Sequence, residues 1–188
     1  YGRLVTVTGT PWGPQGRPLD GVDDYLSCSD SNLASGSADR TVLMYLKLNT
    51  VSKDLQEFFF YGTEFANQGL LFSTSSVALG ATDKLLLGKY GGNSGASTGV
   101  LVANKFMQIG FILSGGSNLE FIIDGNSAGT TTLAGINTVL GGTAKIGLGW
   151  NSSYLSGIAS SIQFFNRALG AQEYLNHYLA SKRRMLWP

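Results

Sequence analysis

Apolar residues alternate with polar ones along most of this chain. In segment 40–49, Val42, Met44, Leu46 and Leu48 fall on one face and Leu43 and Tyr45 on the other, with Lys47 beside them. A strand apolar on nearly both faces belongs in the middle of a sheet. Phe58, Phe59, Phe60 and Tyr61 form a β run with aromatics on both faces. Leu70-Leu71-Phe72, Val77-Ala78-Leu79 and Leu85-Leu86-Leu87 follow as short apolar runs. Their spacing, about eight residues between turn signals, is that of a sandwich. Leu4, Thr6 and Thr8 alternate with Val5 and Val7 as a short first strand, and Tyr25-Leu26-Ser27-Cys28 begins another. Segment 105–114 and the run Leu119 to Ile123 predict two more, the second turning at Asp124-Gly125. The Thr- and Gly-rich segment 129–140 supplies a further edge strand and a loop.

Near the end the pattern changes period. Ile146 and Leu148 alternate with Lys145, Gly147 and Gly149; then Ile158, Ser160, Ile162 and Phe164 share one face, with Phe165 on the other. Asn166-Arg167-Ala168-Leu169 turns the chain into a helix starting near Ala171. Gly170 stands at the N-cap and Glu173 at the N3 place of a capping box. Tyr174, Leu175, Tyr178 and Leu179 form the stripe of a helix lying on a hydrophobic surface. Between these elements, segment 10–14 is a loop by its prolines, with Trp12 expected to pack at a corner. Segment 29–39 is small, polar and a surface loop. Segment 90–99, from Tyr90 through Gly91-Gly92 to Gly99, is the most flexible stretch.

The 188 residues suit one domain, and 43% hydrophobic content is enough for a full core. Twenty-six glycines against four prolines favour many tight turns, as in an all-β chain. A net charge of +1 gives no nucleic-acid footprint. Cys28 is the only cysteine, so no internal disulfide exists, and it is expected as a small buried hydrophobe. No apolar run is long enough for a membrane span and no signal peptide is seen.

The run Gly157 to Glu173, with Phe165-Asn166-Arg167-Ala168-Leu169 before the glutamate, resembles the closing motif of laminin-G-like domains in the concanavalin A-like lectin/glucanase superfamily. Asp20-Gly21-Val22-Asp23-Asp24-Tyr25 is similar to that family's opening motif, about two residues shorter upstream. The Leu119 to Gly125 hairpin and the strand at Tyr45 resemble it too, while segment 105–114 lacks its histidine pair and has Phe106 at its tryptophan place. The resemblance implies an all-β jelly-roll sandwich of two antiparallel sheets with one short C-terminal helix. It covers residues 1–180, leaving 181–188 as a basic and aromatic tail. A first strand usually precedes the position of Tyr1, so the chain is expected to be a piece of a longer one.

Candidate chemistry is sparse. Asp20, Asp23 and Asp24 can together bind a hard cation, calcium being the expected one; the plainer account is turn chemistry with solvated carboxylates. Trp150 and Tyr154, flanking one loop, can stack on a sugar face, with Tyr90 as a further contact, although such aromatics are more often packed. Asn151-Ser152-Ser153 fits a glycosylation sequon. Glycoside hydrolysis needs two carboxyl groups about 5 to 9.5 Å apart. The nearest candidates, Glu120 and Asp124, stand about 13 Å apart along one strand, and Asp124 belongs to a turn. His177 is the only histidine and reads as a solvent-facing helix residue, so neither a Ser-His pair nor a transition-metal site is indicated.

The resemblance therefore implies a non-catalytic recognition or adhesion module, displayed outside the cell or on a virion surface and binding a glycan. The alternative is a structural decoration protein in a virus, a phage or another assembly. It would contact other subunits through Leu186 and Trp187 and form a homo-oligomer. A glycoside hydrolase is the distant third.

Overall fold

The computed structural model describes residues 5–9, 11–75, 80 and 82–186, with side chains through 183. The expected strand at Val77-Ala78-Leu79 lies outside the described residues, as does Trp187, and Leu186 is described only as backbone.

The strands are β1 (Thr6–Thr8), β2 (Arg17–Asp20), β3 (Tyr25–Ser29), β4 (Arg40–Leu48), β5 (Glu57–Gly62), β6 (Gly69–Thr74) and β7 (Lys84–Lys89). They continue with β8 (Ser94–Val100), β9 (Phe106–Ser114), β10 (Asn118–Ile123), β11 (Asn126–Thr132), β12 (Thr143–Ile146) and β13 (Ser156–Phe165). Among the described residues one helix, α1 (Ala171–Leu186), follows β13. They form two antiparallel sheets, a seven-stranded one in the order β1-β3-β12-β5-β6-β7-β8 and a six-stranded one in the order β11-β10-β9-β4-β13-β2. As its double apolar face requires, β4 lies inside its sheet, between β9 and β13.

The core lies between the sheets. Val42, Met44, Leu46 and Leu48 of β4 meet Phe58, Phe59 and Tyr61 of β5 and Phe72 of β6 there, with Phe111 and Phe121 from β9 and β10. Cys28 joins this core, as its pattern predicts. The first β–β edge is closed where Thr98 Oγ1 of β8 donates to the Ala128 carbonyl of β11 at 3.1 Å. At the opposite edge the buried Arg17 of β2 donates Nη2 to the Thr8 carbonyl of β1 at 2.8 Å. Arg40, also buried, gathers the 34–38 loop by donating to the carbonyls of Ala34, Ser35, Gly36 and Ala38 and to the hydroxyls of Tyr61 and Thr138.

The helix begins where the capping pattern puts it. The Gly170 N–H donates to Glu173 Oε2 at 2.9 Å, and Arg167 grips the same carboxylate at 2.9 and 2.6 Å. That grip, with the Gly170 N–H, holds the Glu173 carboxyl down to about 2. Tyr174 and Leu169 pack on Leu43, Ile112 and Ile122, so α1 roofs the outer face of the six-stranded sheet.

Several expectations are corrected. A bulge between Ala159 and Ser161 breaks the face expected for Ile158, Ser160, Ile162 and Phe164. Ala159 points into the core before it, and Ile162 and Phe164 do so after it. Segment 90–99 is a loop only through Asn93, because Ser94 starts β8. The strand β2 carries no alternating signal of its own; it is recruited by pairing with β13. Trp12 is 55% exposed rather than packed, because only one side of it borders a small gap by Leu26, Met44 and Ile162. Leu179 is 43% exposed: at 100° per residue it stands about 90° from the middle of the buried stripe. His177 is half-buried, edge-on to Phe165 at 5.0 Å, instead of facing solvent. The basic run after Ala180 continues the helix through Leu186, since Lys and Arg are good helix formers and favourable at its C-terminal end.

Candidate functional site

Two loops carry the candidate residues, and each hangs from a carboxylate. The first joins β12 to β13 and crosses from one sheet to the other over the outer face of the seven-stranded sheet. Its anchor is Glu57, the first residue of β5 and fully buried. Glu57 Oε2 accepts the backbone N–H groups of Gly149 and Ser153 at 2.9 and 3.0 Å, and Oε1 accepts that of Asn151 at 3.0 Å. The Glu57 N–H donates in turn to the Ser153 carbonyl at 3.0 Å. A Cβ at position 149 would stand 2.5 Å from Leu71 Cδ1 and 2.8 Å from Glu57 Oε1, so only glycine lets the loop lie this close. Burial pushes the Glu57 carboxyl above its ordinary value, and the three N–H groups and Lys145 offset only part of that.

Between the clamped amides of Gly149 and Asn151 stands Trp150. Its ring meets Phe60 of β5 at 5.4 Å and Tyr90 at 5.2 Å, both nearly at right angles. Trp150 and Tyr90 are half-buried and Phe60 is buried beneath them. Lys145 of β12 lies 5.9 Å from the Phe60 ring centre, and its Nζ is 4.0 Å from Glu64. Trp150 and Tyr90 are therefore brought together from positions far apart in the chain. Tyr154 is half-buried and pairs with neither ring among the described residues; its carbonyl accepts Lys53 Nζ at 2.6 Å. Exposed Asn151 and Ser94 border the aromatic cluster.

The second loop is the turn after β2. The carboxylate oxygens of Asp20, Asp23 and Asp24 lie within 4.8 Å of one another, with Asp20 and Asp23 exposed and Asp24 buried. Asp20 Oδ1 accepts the N–H groups of Val22, Asp23 and Asp24 at 2.8, 3.2 and 3.4 Å, and Asp24 Oδ2 accepts the Asp20 N–H at 3.1 Å. The N–H of Val22 is the largest influence holding the Asp20 carboxyl below its ordinary value. Asp24 Oδ1 would be 1.2 Å from a Cβ at position 9, so Gly9, at φ +93°, makes room for it. An open cleft of ≈ 730 Å³, lined in part by Pro18, Asn49 and Ile158, runs beside the turn. The three carboxylates supply the hard oxygen donors that calcium takes, and two of them already serve as acceptors within the turn. Lys53 connects the two loops: its Nζ reaches the carbonyls of Gly21 and Tyr154 at 3.0 and 2.6 Å. Burial lowers the Lys53 pKa, opposed by the charges of Asp20 and Glu57.

Sequence reasoning missed Glu57 and Lys53. Their partners are backbone groups, which leave no residue signature; a lone glutamate opening an otherwise aromatic strand is the one local clue.

With the sandwich and its loops in view, the family is plain. A laminin-G family model described as the concanavalin A-like lectin/glucanases superfamily matches residues 20–173, and the chain belongs to that superfamily. No curated protein matches the chain significantly. Among solved structures it is similar to domain 4 of AbnA, a GH43 extracellular arabinanase from Geobacillus stearothermophilus, in complex with arabinotriose. That match has 14% identity and a TM-score of 0.65, over 93% of this chain and 81% of that one. It is also similar to the heptameric SAP-like pentraxin of Limulus polyphemus, at 16% identity and TM-score 0.62, over 91% and 79%. The receptor binding domain of a botulinum neurotoxin C/D mosaic serotype matches at 11% identity and TM-score 0.71, over 96% of this chain and 47% of that one. At these identities the likeness is one of fold. Among the described residues, no helix is long and apolar enough to cross a membrane.

Proposed function

We propose that this domain is a non-catalytic glycan-binding module of the extracellular space, taking its ligand at Trp150 and Tyr90 on the outer face of the seven-stranded sheet. The observation that carries this reading is the clamped aromatic pair. Trp150 is fixed edge-on against Phe60 and Tyr90, yet part of its surface stays open. A rigid, half-exposed ring with polar neighbours is what the apolar face of a sugar needs. The arabinotriose held by the AbnA domain supports the ligand class. The α1 helix leaves this sheet face uncovered, since it packs on the other sheet.

A non-catalytic role is supported by what the glutamates do. Glu57 holds three amides, Glu64 faces Lys145, Glu120 bonds Tyr174, and Glu173 caps the helix and binds Arg167. No two of them stand ready as an acid and base across a sugar. Calcium at Asp20, Asp23 and Asp24 is a second element of the proposal, supported by the convergence of their oxygens.

The test is a glycan array probed with the wild-type domain and with Trp150→Ala, each with calcium and with a chelator. The expected outcome is selective binding that Trp150→Ala weakens about tenfold or more, the scale of an aromatic hot spot. Loss on chelation would put the acidic turn in the site, and retention would confine the site to the aromatic face. Silence of the wild type in both conditions overturns the reading and leaves the subunit-contact alternative, with Leu186 and Trp187 as the residues to truncate.

A further inference from the structure

Beside the aromatic cluster lies an ion pair that does not close. Lys145 of β12 is paired with Phe60 of β5, so the two side chains stand next to each other on the outer face of the seven-stranded sheet. The Lys145 ammonium is 5.9 Å from the centre of the same ring that Trp150 meets at 5.4 Å. Its acidic neighbour is Glu64, with Nζ and Oε1 4.0 Å apart. A hydrogen bond between an ammonium and a carboxylate is about 2.8 Å long, so the charges attract across a gap without bonding. Both sides of the gap are fixed. Glu64 stands in the turn between β5 and β6, which closes where the Gln68 N–H donates to the Phe65 carbonyl at 2.9 Å and Thr63 Oγ1 donates to Gln68 Oε1 at 2.7 Å. That turn is tied to the aromatic site itself, since the Asn67 N–H donates to the Tyr90 carbonyl at 2.7 Å. Lys145 comes from a strand paired on both sides, and its chain runs on into the loop that carries Trp150. The gap is therefore held beside the ring pair and open to solvent, with the two side chains 30% and 52% exposed.

We propose that Lys145 and Glu64 are the polar half of the glycan site and together take one hydroxyl of a neutral sugar seated at Trp150: the hydroxyl oxygen accepts from Lys145 Nζ and its O–H donates to Glu64 Oε1. This rests on the glycan reading above. A hydroxyl accepts and donates through one oxygen, which is what an open cation–anion pair requires. Two such bonds meeting at one oxygen put their far ends roughly 4 to 4.5 Å apart, and the pair stands at 4.0 Å. An acidic sugar fits less well. Lys145 already faces two carboxylates, Glu64 and the buried Glu57. Lys53, the other cation near Glu57, is bonded to the carbonyls of Gly21 and Tyr154. Added negative charge would therefore meet repulsion that no spare cation of this group offsets. A sugar lacking the hydroxyl leaves both charged groups without the bond and loses affinity.

The test separates the pair from the platform. The glycan that the array selects, and its singly deoxygenated analogues, are titrated by calorimetry against the wild-type domain, Lys145→Met, Glu64→Gln and Trp150→Ala. In the wild type, removal of one particular hydroxyl should weaken binding about tenfold, the scale of a hydrogen bond to a charged group. Lys145→Met and Glu64→Gln should each weaken binding of the parent sugar by about as much, and neither should lose more when that same hydroxyl is removed. Both side chains are partly exposed, so both variants should fold. Lys145→Met also removes a charge near Glu57, whereas Glu64→Gln leaves the clamp alone, so agreement between them excludes an effect through the loop. Binding that needs Trp150 but is unchanged in both variants overturns the role of the pair and keeps the glycan reading. Weaker binding in Lys145→Met with stronger binding in Glu64→Gln would show the lysine holding an acidic sugar, and overturns the neutral hydroxyl. A wild type silent on the array removes the glycan reading and this inference with it.

Discussion

Asp20 and Glu57 do the same job in two different places. Each carboxylate accepts three backbone N–H groups and so fixes the shape of a loop. Their proton affinities nevertheless move in opposite directions. Asp20 is exposed, water solvates the rest of its charge, and the amides favour the ionised form, so its pKa falls. Glu57 is buried, and three amides with a nearby lysine do not replace the hydration lost on burial, so its pKa rises. Hydrogen-bond count alone thus says nothing about the sign of a shift; what stands behind the carboxylate decides it. The stability consequences are opposite too. Asp20 contributes stability above the ordinary aspartate range, and this is lost as pH falls through its folded pKa. Glu57 contributes below the ordinary glutamate range, and its contribution is lost as pH rises through its folded pKa.

The comparison breaks most visibly at Glu57→Ala. Three amides lose a charged acceptor inside the protein, and the expected loss is about 3 kcal/mol of unfolding free energy. Urea denaturation measures it, and a loss under about 1 kcal/mol would mean that water enters and takes over the amides. Lys53→Met should come next, at about 1 kcal/mol, because two carbonyls lose a donor that is partly exposed. Hydrogen exchange should then speed up in both loops at once; acceleration in only one would show that Lys53 does not couple them. Asp20→Asn should have the smallest effect. The melting temperature should drop slightly at neutral pH, by less than for Glu57→Ala, and the gap to wild type should close in acid below the aspartate range.

Most of the fold is legible in the chain. The double-faced β4, the Asp124-Gly125 hairpin and the Gly170–Glu173 cap are local patterns, and local patterns survive folding when burial and hydrogen bonding agree with them. The bulge in β13 is not legible, because Ile158, Ser160, Ile162 and Phe164 alternate without a break and only the pairing with β4 shows where the extra residue goes. The site is legible as residue types and not as an arrangement. Trp150 announces itself as an aromatic in a loop, but Tyr90 and Phe60 reach it across the sheet. Glu57 is silent, because a side chain that binds backbone amides from a distant loop selects for no particular partner residue.

The bulge in β13 also sets how this strand can vary. Beyond Ser160 the inward and outward positions exchange parity, so the strand carries two phases of one alternation, joined at a single residue. Deleting that residue would merge the two phases into one unbroken alternation, with Ala159, Ile162 and Phe164 still facing the core and Gln163 still facing outward. A deletion at another position of β13 would invert the faces beyond it until one insertion downstream restored the phase. A change in length within β13 is therefore tolerated singly at the bulge and elsewhere only in pairs, and the closer the pair, the smaller the damage.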